Sequence, residues 1–176
     1  LGTMELLMTS PLKDFEIVIG KFLAALSIII VMIIGTFFYP IILIIFGVPD
    51  FGPIFTGYFG LILYSSSTLS VGIFASSLSS NQLVSLVVGS GILSFLTFID
   101  FVSSRLSGAF GTILNELQLG GSFSLFDSSS FGIAEGGHFA DFARGIINVY
   151  DIIFYISVST IFLVLTIFSL ESRRWR

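Results

Sequence analysis

Charge is scarce in this 176-residue chain: only 10% of its residues are Asp, Glu, Lys or Arg. Soluble domains carry roughly 25%. So few charges do not cover a water-facing surface, which makes the membrane the expected solvent. Cysteine is missing altogether, which excludes disulfides and thiolate metal sites. There is one histidine, and no cluster with metal-ligand spacing surrounds it. The net charge of −4 is spread along the chain, so no basic face points to nucleic acid. No phosphate-binding loop is present: the only Gly-Lys pair is Gly20-Lys21, and Phe15 stands where such a loop needs glycine. No Gly-x-Ser-x-Gly nucleophile elbow occurs either. Residues 1–21 are too charged to be the apolar core of a signal peptide.

What remains is oil, 55% hydrophobic with 21 phenylalanines and a mean hydropathy of +1.06. Charge-free runs extend from Phe22 to Pro49, from Phe51 to Ile99 and from Ile152 to Leu170. A spanning helix needs about 20 apolar residues, so the first and last runs hold one span each. The middle run is long enough for two, divided at the polar cluster Ser76-Ser77-Leu78-Ser79-Ser80-Asn81-Gln82. The expectation is an all-α polytopic membrane protein with about four spans, near 22–46, 55–78, 82–101 and 151–170. A barrel would alternate, and Ile28-Ile29-Ile30-Val31-Met32-Ile33-Ile34 does not.

Four spans put both ends on one side. Lys13, Lys21, Arg173, Arg174 and Arg176 outweigh Arg105 and Arg144 on the other, so the positive-inside rule places both ends in the cytoplasm. Val48-Pro49-Asp50-Phe51-Gly52-Pro53 reads as a tight outer turn. Residues 102–150 form a long outer loop. Within it, Phe110, Ile113, Leu114 and Leu117, then Phe139, Phe142, Ala143, Ile146 and Ile147, recur at helical spacing. They predict two short amphipathic helices on, or dipping into, the outer leaflet. Asp100 and Asp151 fall at outer span ends, where water is expected to reach them. Span hydroxyls such as Ser65, Ser66, Ser67, Thr68, Ser70, Ser85, Ser90, Ser94 and Thr97 can bond their own helix, glue helices together or line a path; glue is the stronger reading. Gly57, Gly60, Gly89 and Gly91 allow close helix approach. Gly35 and Pro40 are a candidate hinge in the first span, with static packing an equal account of them. His138 with Asp141 three residues on could serve a hydrolase, but a polar residue on a loop helix is the stronger reading. Asp141 and Arg144 are spaced to pair weakly on that helix.

The opening stretch, residues 2–21, holds five charges: Glu5, Lys13, Asp14, Glu16 and Lys21. Met4, Leu7 and Met8 share one side of a short helix. Ser10 suits an N-cap and Pro11 a first helical position, so a second helix starts at a corner there. Physics alone leaves a membrane anchor and a working element equally open. Gly2-Thr3-Met4-Glu5-Leu6-Leu7, Thr9-Ser10-Pro11, Glu16-Ile17-Val18 and Gly20-Lys21 resemble the cytoplasmic loop of type-2 ABC permeases, the ABC-2 membrane family. Gly72-Ile73-Phe74-Ala75-Ser76-Ser77-Leu78 with Asn81-Gln82 resembles the inner end of a later span of that family. His138-Phe139, Phe142, Gly145-Ile146 and Asp151-Ile152 resemble the approach to its last span. Glu171-Ser172-Arg173-Arg174-Trp175-Arg176 resembles the tail of a subgroup that includes gliding-motility permeases.

That resemblance implies the membrane subunit of an ATP-driven transporter, an exporter by expectation, in a bacterial inner membrane. ATP and Mg would be bound by a partner ABC ATPase subunit, with no cofactor in this chain. A second permease copy or subunit would complete the dimer. The complete family fold has six spans, so with Leu1 at the start the expectation is a fragment lacking the first two. Gly2, Thr3, Glu5, Leu6, Leu7 and Pro11 would form or position a coupling helix that docks in a groove on the ATPase. A membrane scaffold or assembly protein of the same topology is the alternative from another class.

Overall fold

The computed structural model describes residues 14–103, 114, 116–120 and 138–174. The coupling residues Gly2, Thr3, Glu5, Leu6, Leu7 and Pro11 lie outside this range, as do most of the first expected outer helix and the final Trp175-Arg176. The regular elements among the described residues are all helices: α1 (Asp14–Gly35), α2 (Phe38–Phe46), α3 (Phe51–Leu78), α4 (Gln82–Ser103), α5 (His138–Ala143) and α6 (Val149–Arg174). Four segments are long and apolar enough to cross a membrane: Asp14–Phe46, Phe51–Leu78, Gln82–Ile99 and Val149–Ser172. The molecule is a helical membrane protein.

The polar sequences between spans act as caps. Asp50 lies in extended conformation and its carboxylate accepts the Gly52 amide at 3.0 Å, so α3 starts on a capped turn, with Pro53 where no amide is needed. At the other end of α3, Ser79 Oγ accepts the Asn81 amide at 3.0 Å, and Asn81 Oδ1 accepts the Leu83 amide at 3.0 Å. The Ser-Ser-Asn run therefore both stops α3 and starts α4.

Helix α3 is the centre of the bundle. It packs most extensively on α6, and also on α4, α1 and α5. Its buried surface is mostly small or hydroxylated: Thr56, Gly60, Ser67, Ser70, Val71, Ala75 and Ser77, with Ile73 the larger exception. Lipid supplies no hydrophobic drive between helices, so close packing of small residues is what holds such an interface together. Most hydroxyls turn back on their own helix. Ser67 and Thr68 donate to the Tyr64 carbonyl (2.8 and 2.9 Å), Ser70 to Ser66 (2.8 Å), Thr97 to Leu93 (2.8 Å) and Thr166 to Phe162 (2.8 Å). Others cross between segments: Ser66 meets Ser159 at 3.4 Å, Ser169 donates to the Ser77 carbonyl at 3.3 Å, and Thr56 donates to the Phe142 carbonyl at 2.7 Å. Of the four glycines expected to admit neighbours, Gly60 and Gly89 do. A Cβ at Gly89 would stand 3.1 Å from that of Ala75, whereas Gly57 and Gly91 have nothing within 4 Å of that position.

Candidate functional site

Polar side chains converge at the N-terminal ends of α3 and α6, where α5 and residues 116–120 pack against them. The expected amphipathic helix over 139–147 is shorter than its spacing predicts. Gly145, at φ 88°, ends it. The Gly145 amide bonds the Phe142 carbonyl at 3.3 Å and the Ile146 amide bonds Asp141 at 2.9 Å, a Schellman stop. Gly145 also sits against Pro53, 3.2 Å from the ring to an added Cβ, so both backbone hand and space require glycine there. Only residues 146–148 separate this stop from Val149, where α6 begins, and α5 packs on α3.

Phe142 is fully buried, and its ring lies 2.6 Å from where a Cβ of Gly60 would stand. Phe59 and Tyr155 flank it with ring centroids 6.2 and 6.4 Å away. The Tyr155 phenol, also fully buried, donates to the Leu119 carbonyl at 2.8 Å, and the Leu119 amide donates to Leu96 of α4 at 3.2 Å. Residues 116–120 are thus tied to both α4 and α6.

His138 begins α5 and is 7% exposed. Its ring stacks on Phe154, centroids 3.9 Å apart, and Nδ1 lies 2.6 Å from Asp151 Oδ1. Nε2 lies 3.1 Å from the backbone oxygen of Glu116. Tyr150 OH donates to the Glu116 carboxylate. Asp151 is in the first turn of α6, where a helix N-terminus favours an acid, and it is only 4% exposed. It is not the water-reached carboxylate expected from its place at a span end. The partner of His138 is Asp151, not Asp141. Asp141 instead accepts from Asn148 Nδ2, and no ion pair joins it to Arg144. Both ring nitrogens of His138 are occupied, and no described hydroxyl hydrogen-bonds to either. The side-chain amide of Gln118 and Asp151 Oδ2 are buried without a hydrogen-bond partner.

The candidate hinge residues flank a real discontinuity. Gly35 ends α1, Thr36 and Phe37 form a turn, and Pro40 lies in the first turn of α2. Pro40 has no N–H to give the Thr36 carbonyl, which accepts instead from Tyr39 N at 3.0 Å and from Tyr58 OH of α3 at 2.9 Å. Phe37 stacks on Tyr58 with centroids 4.6 Å apart. Gly35 has open space around it and contributes no close approach.

Comparison with protein-family models, with curated proteins and with solved structures gives no match. The resemblance to ABC-2 permeases therefore rests on the quoted residues.

Proposed function

We propose that the chain is the membrane part of an ATP-driven exporter of the ABC-2 permease kind, with ATP and Mg handled by a separate ATPase subunit. The carrying observation is the continuity of α1. It starts at Asp14, inside the stretch that resembles the coupling loop, and runs unbroken to Gly35. A displacement of Gly2–Pro11 would pass along a stiff helix to the Thr36 break, where it meets α3 through Tyr58. In this reading Glu5, Leu6 and Leu7 dock on the ATPase and Pro11 holds the corner. Gly35 and Pro40 bound the hinge, and a second permease subunit completes the path. The gliding-motility subgroup and the cytoplasmic side of both ends belong to the same proposal.

Co-purification of the full-length protein from its native membrane tests it. An ABC ATPase is expected to accompany the protein. Glu5→Ala and Leu7→Asp are expected to leave the permease in the membrane but break the link between ATP hydrolysis and transport. A protein recovered alone, with no ATPase bound after cross-linking, is a scaffold instead.

A further inference from the structure

His138 offers a count of protons. A neutral imidazole has one N–H and one bare nitrogen. Here both nitrogens face oxygen: Nδ1 faces Asp151 Oδ1 at 2.6 Å and Nε2 faces the Glu116 carbonyl at 3.1 Å. A carbonyl only accepts, so the Nε2 contact requires a proton on Nε2. The Nδ1 contact then requires a second proton, on Nδ1 or on the Asp151 carboxyl, because two lone pairs at that separation repel. The pair therefore holds one proton more than a neutral histidine beside an ionised aspartate.

Burial favours the same count. With the extra proton the pair is neutral overall; without it, a net negative charge sits in a site only 7% and 4% exposed. Asp151 Oδ2 has no hydrogen-bond partner to offset that charge. The described titratable groups around the pair do not replace the proton. On residues 116–120, the Glu116 carboxylate is engaged by Tyr150 OH. From α6, the Tyr155 phenol donates to Leu119; from α3, Tyr64 meets the Tyr155 ring edge-on; on α5, Asp141 is held by Asn148, and Arg144 follows at its end without an ion pair to either acid.

We propose that His138 and Asp151 form a buried proton-binding site, and that the bound proton fastens residues 116–120 and α5 to the outer end of the bundle. Losing it removes one of the two imidazole contacts and leaves Glu116 or Asp151 facing a bare nitrogen. The docked arrangement carries the extra proton, so linkage weakens docking as pH rises through the range where that proton leaves.

The chain has a single histidine, so histidine-labelled protein without a polyhistidine tag gives one pair of ring-nitrogen signals. Solid-state NMR of the full chain in lipid bilayers, with the aspartate carboxyl carbons labelled as well, is expected to show Nε2 protonated and a second proton on Nδ1 or on a carboxyl oxygen of Asp151, whose carbon signal is assigned by its loss in Asp151→Asn. One bare ring nitrogen together with an ionised Asp151 overturns the proposal. Amide exchange at Leu119 supplies an independent arm. In the wild type, protection is expected to fall as pH rises, by up to about tenfold per pH unit beyond ordinary base catalysis, as for a one-proton linkage. Asp151→Asn can donate its amide to Nδ1 without an extra proton, and is expected to keep Leu119 protected without that added slope. Identical pH dependence in both proteins overturns the assignment.

Discussion

Tyr155 has no exposed surface and one hydroxyl, and that hydroxyl holds the Leu119 carbonyl. Tyr155→Phe keeps the ring and orphans the carbonyl. Interhelical hydrogen bonds in membranes average about 0.6 kcal/mol, and an unpaired buried acceptor costs about 1–3 kcal/mol. A loss of about 1 kcal/mol is expected in a denaturant titration in mild detergent, together with faster exchange at Leu119. A variant with unchanged exchange there contradicts the tie. At this scale the sequence was only partly legible. Spacing pairs His138 with Asp141 because helical neighbours three apart meet. The real partner lies 13 positions on, across a stop built by Gly145. A glycine followed closely by an apolar run with an early acid was the available signal for that stop and for the start of α6. The burial of Gln118 had none, because it depends on Leu119 reaching a carbonyl of α4 far away in the chain.

Among the elements, α1, α2 and the turn between them form a segment of 33 residues, Asp14–Phe46. A straight helix of that length measures about 50 Å at 1.5 Å per residue, against a hydrocarbon core of about 30 Å. The break at Thr36–Phe37 divides it, and Pro40 is its chemical cause. Pro40→Ala restores an N–H that competes with Tyr58 for the Thr36 carbonyl. Paired spin labels at introduced cysteines near residues 24 and 45, on a chain free of native cysteine, are expected to report a longer and narrower distance distribution in this variant. Tyr58→Phe, which keeps the proline, is expected to leave the distance nearly unchanged. Equal distributions in all three proteins remove Pro40 as the cause. Elements were the most legible level of the fold. Three charge-free runs, the middle one divided at the polar cluster 76–82, marked the four apolar segments, and Pro40 marked the break. The extent of α5 was misread because apolar spacing continues to Ile147, whereas Gly145 at positive φ has already ended the helix.

For the whole molecule the decisive contact is between α3 and everything around it. Gly60→Ala puts a methyl group into the Phe142 ring, which is buried and whose carbonyl is pinned by Thr56. Overpacking of this kind costs about 1–3 kcal/mol. The melting temperature is expected to fall, and Phe142→Leu in the same protein to recover part of the loss. A double variant no better than Gly60→Ala alone counts against this contact. The hydroxyls of α3 have a different consequence, for how the protein is made. Helix α3 enters the bilayer while α6, its main partner, is still unsynthesised. Ser67, Thr68 and Ser70 already satisfy themselves on their own turns at 2.8–2.9 Å, so these three hydroxyls bring no bare donor into lipid while the segment waits. Once the ribosome delivers α6, two complete helices have only to close their small-residue faces together.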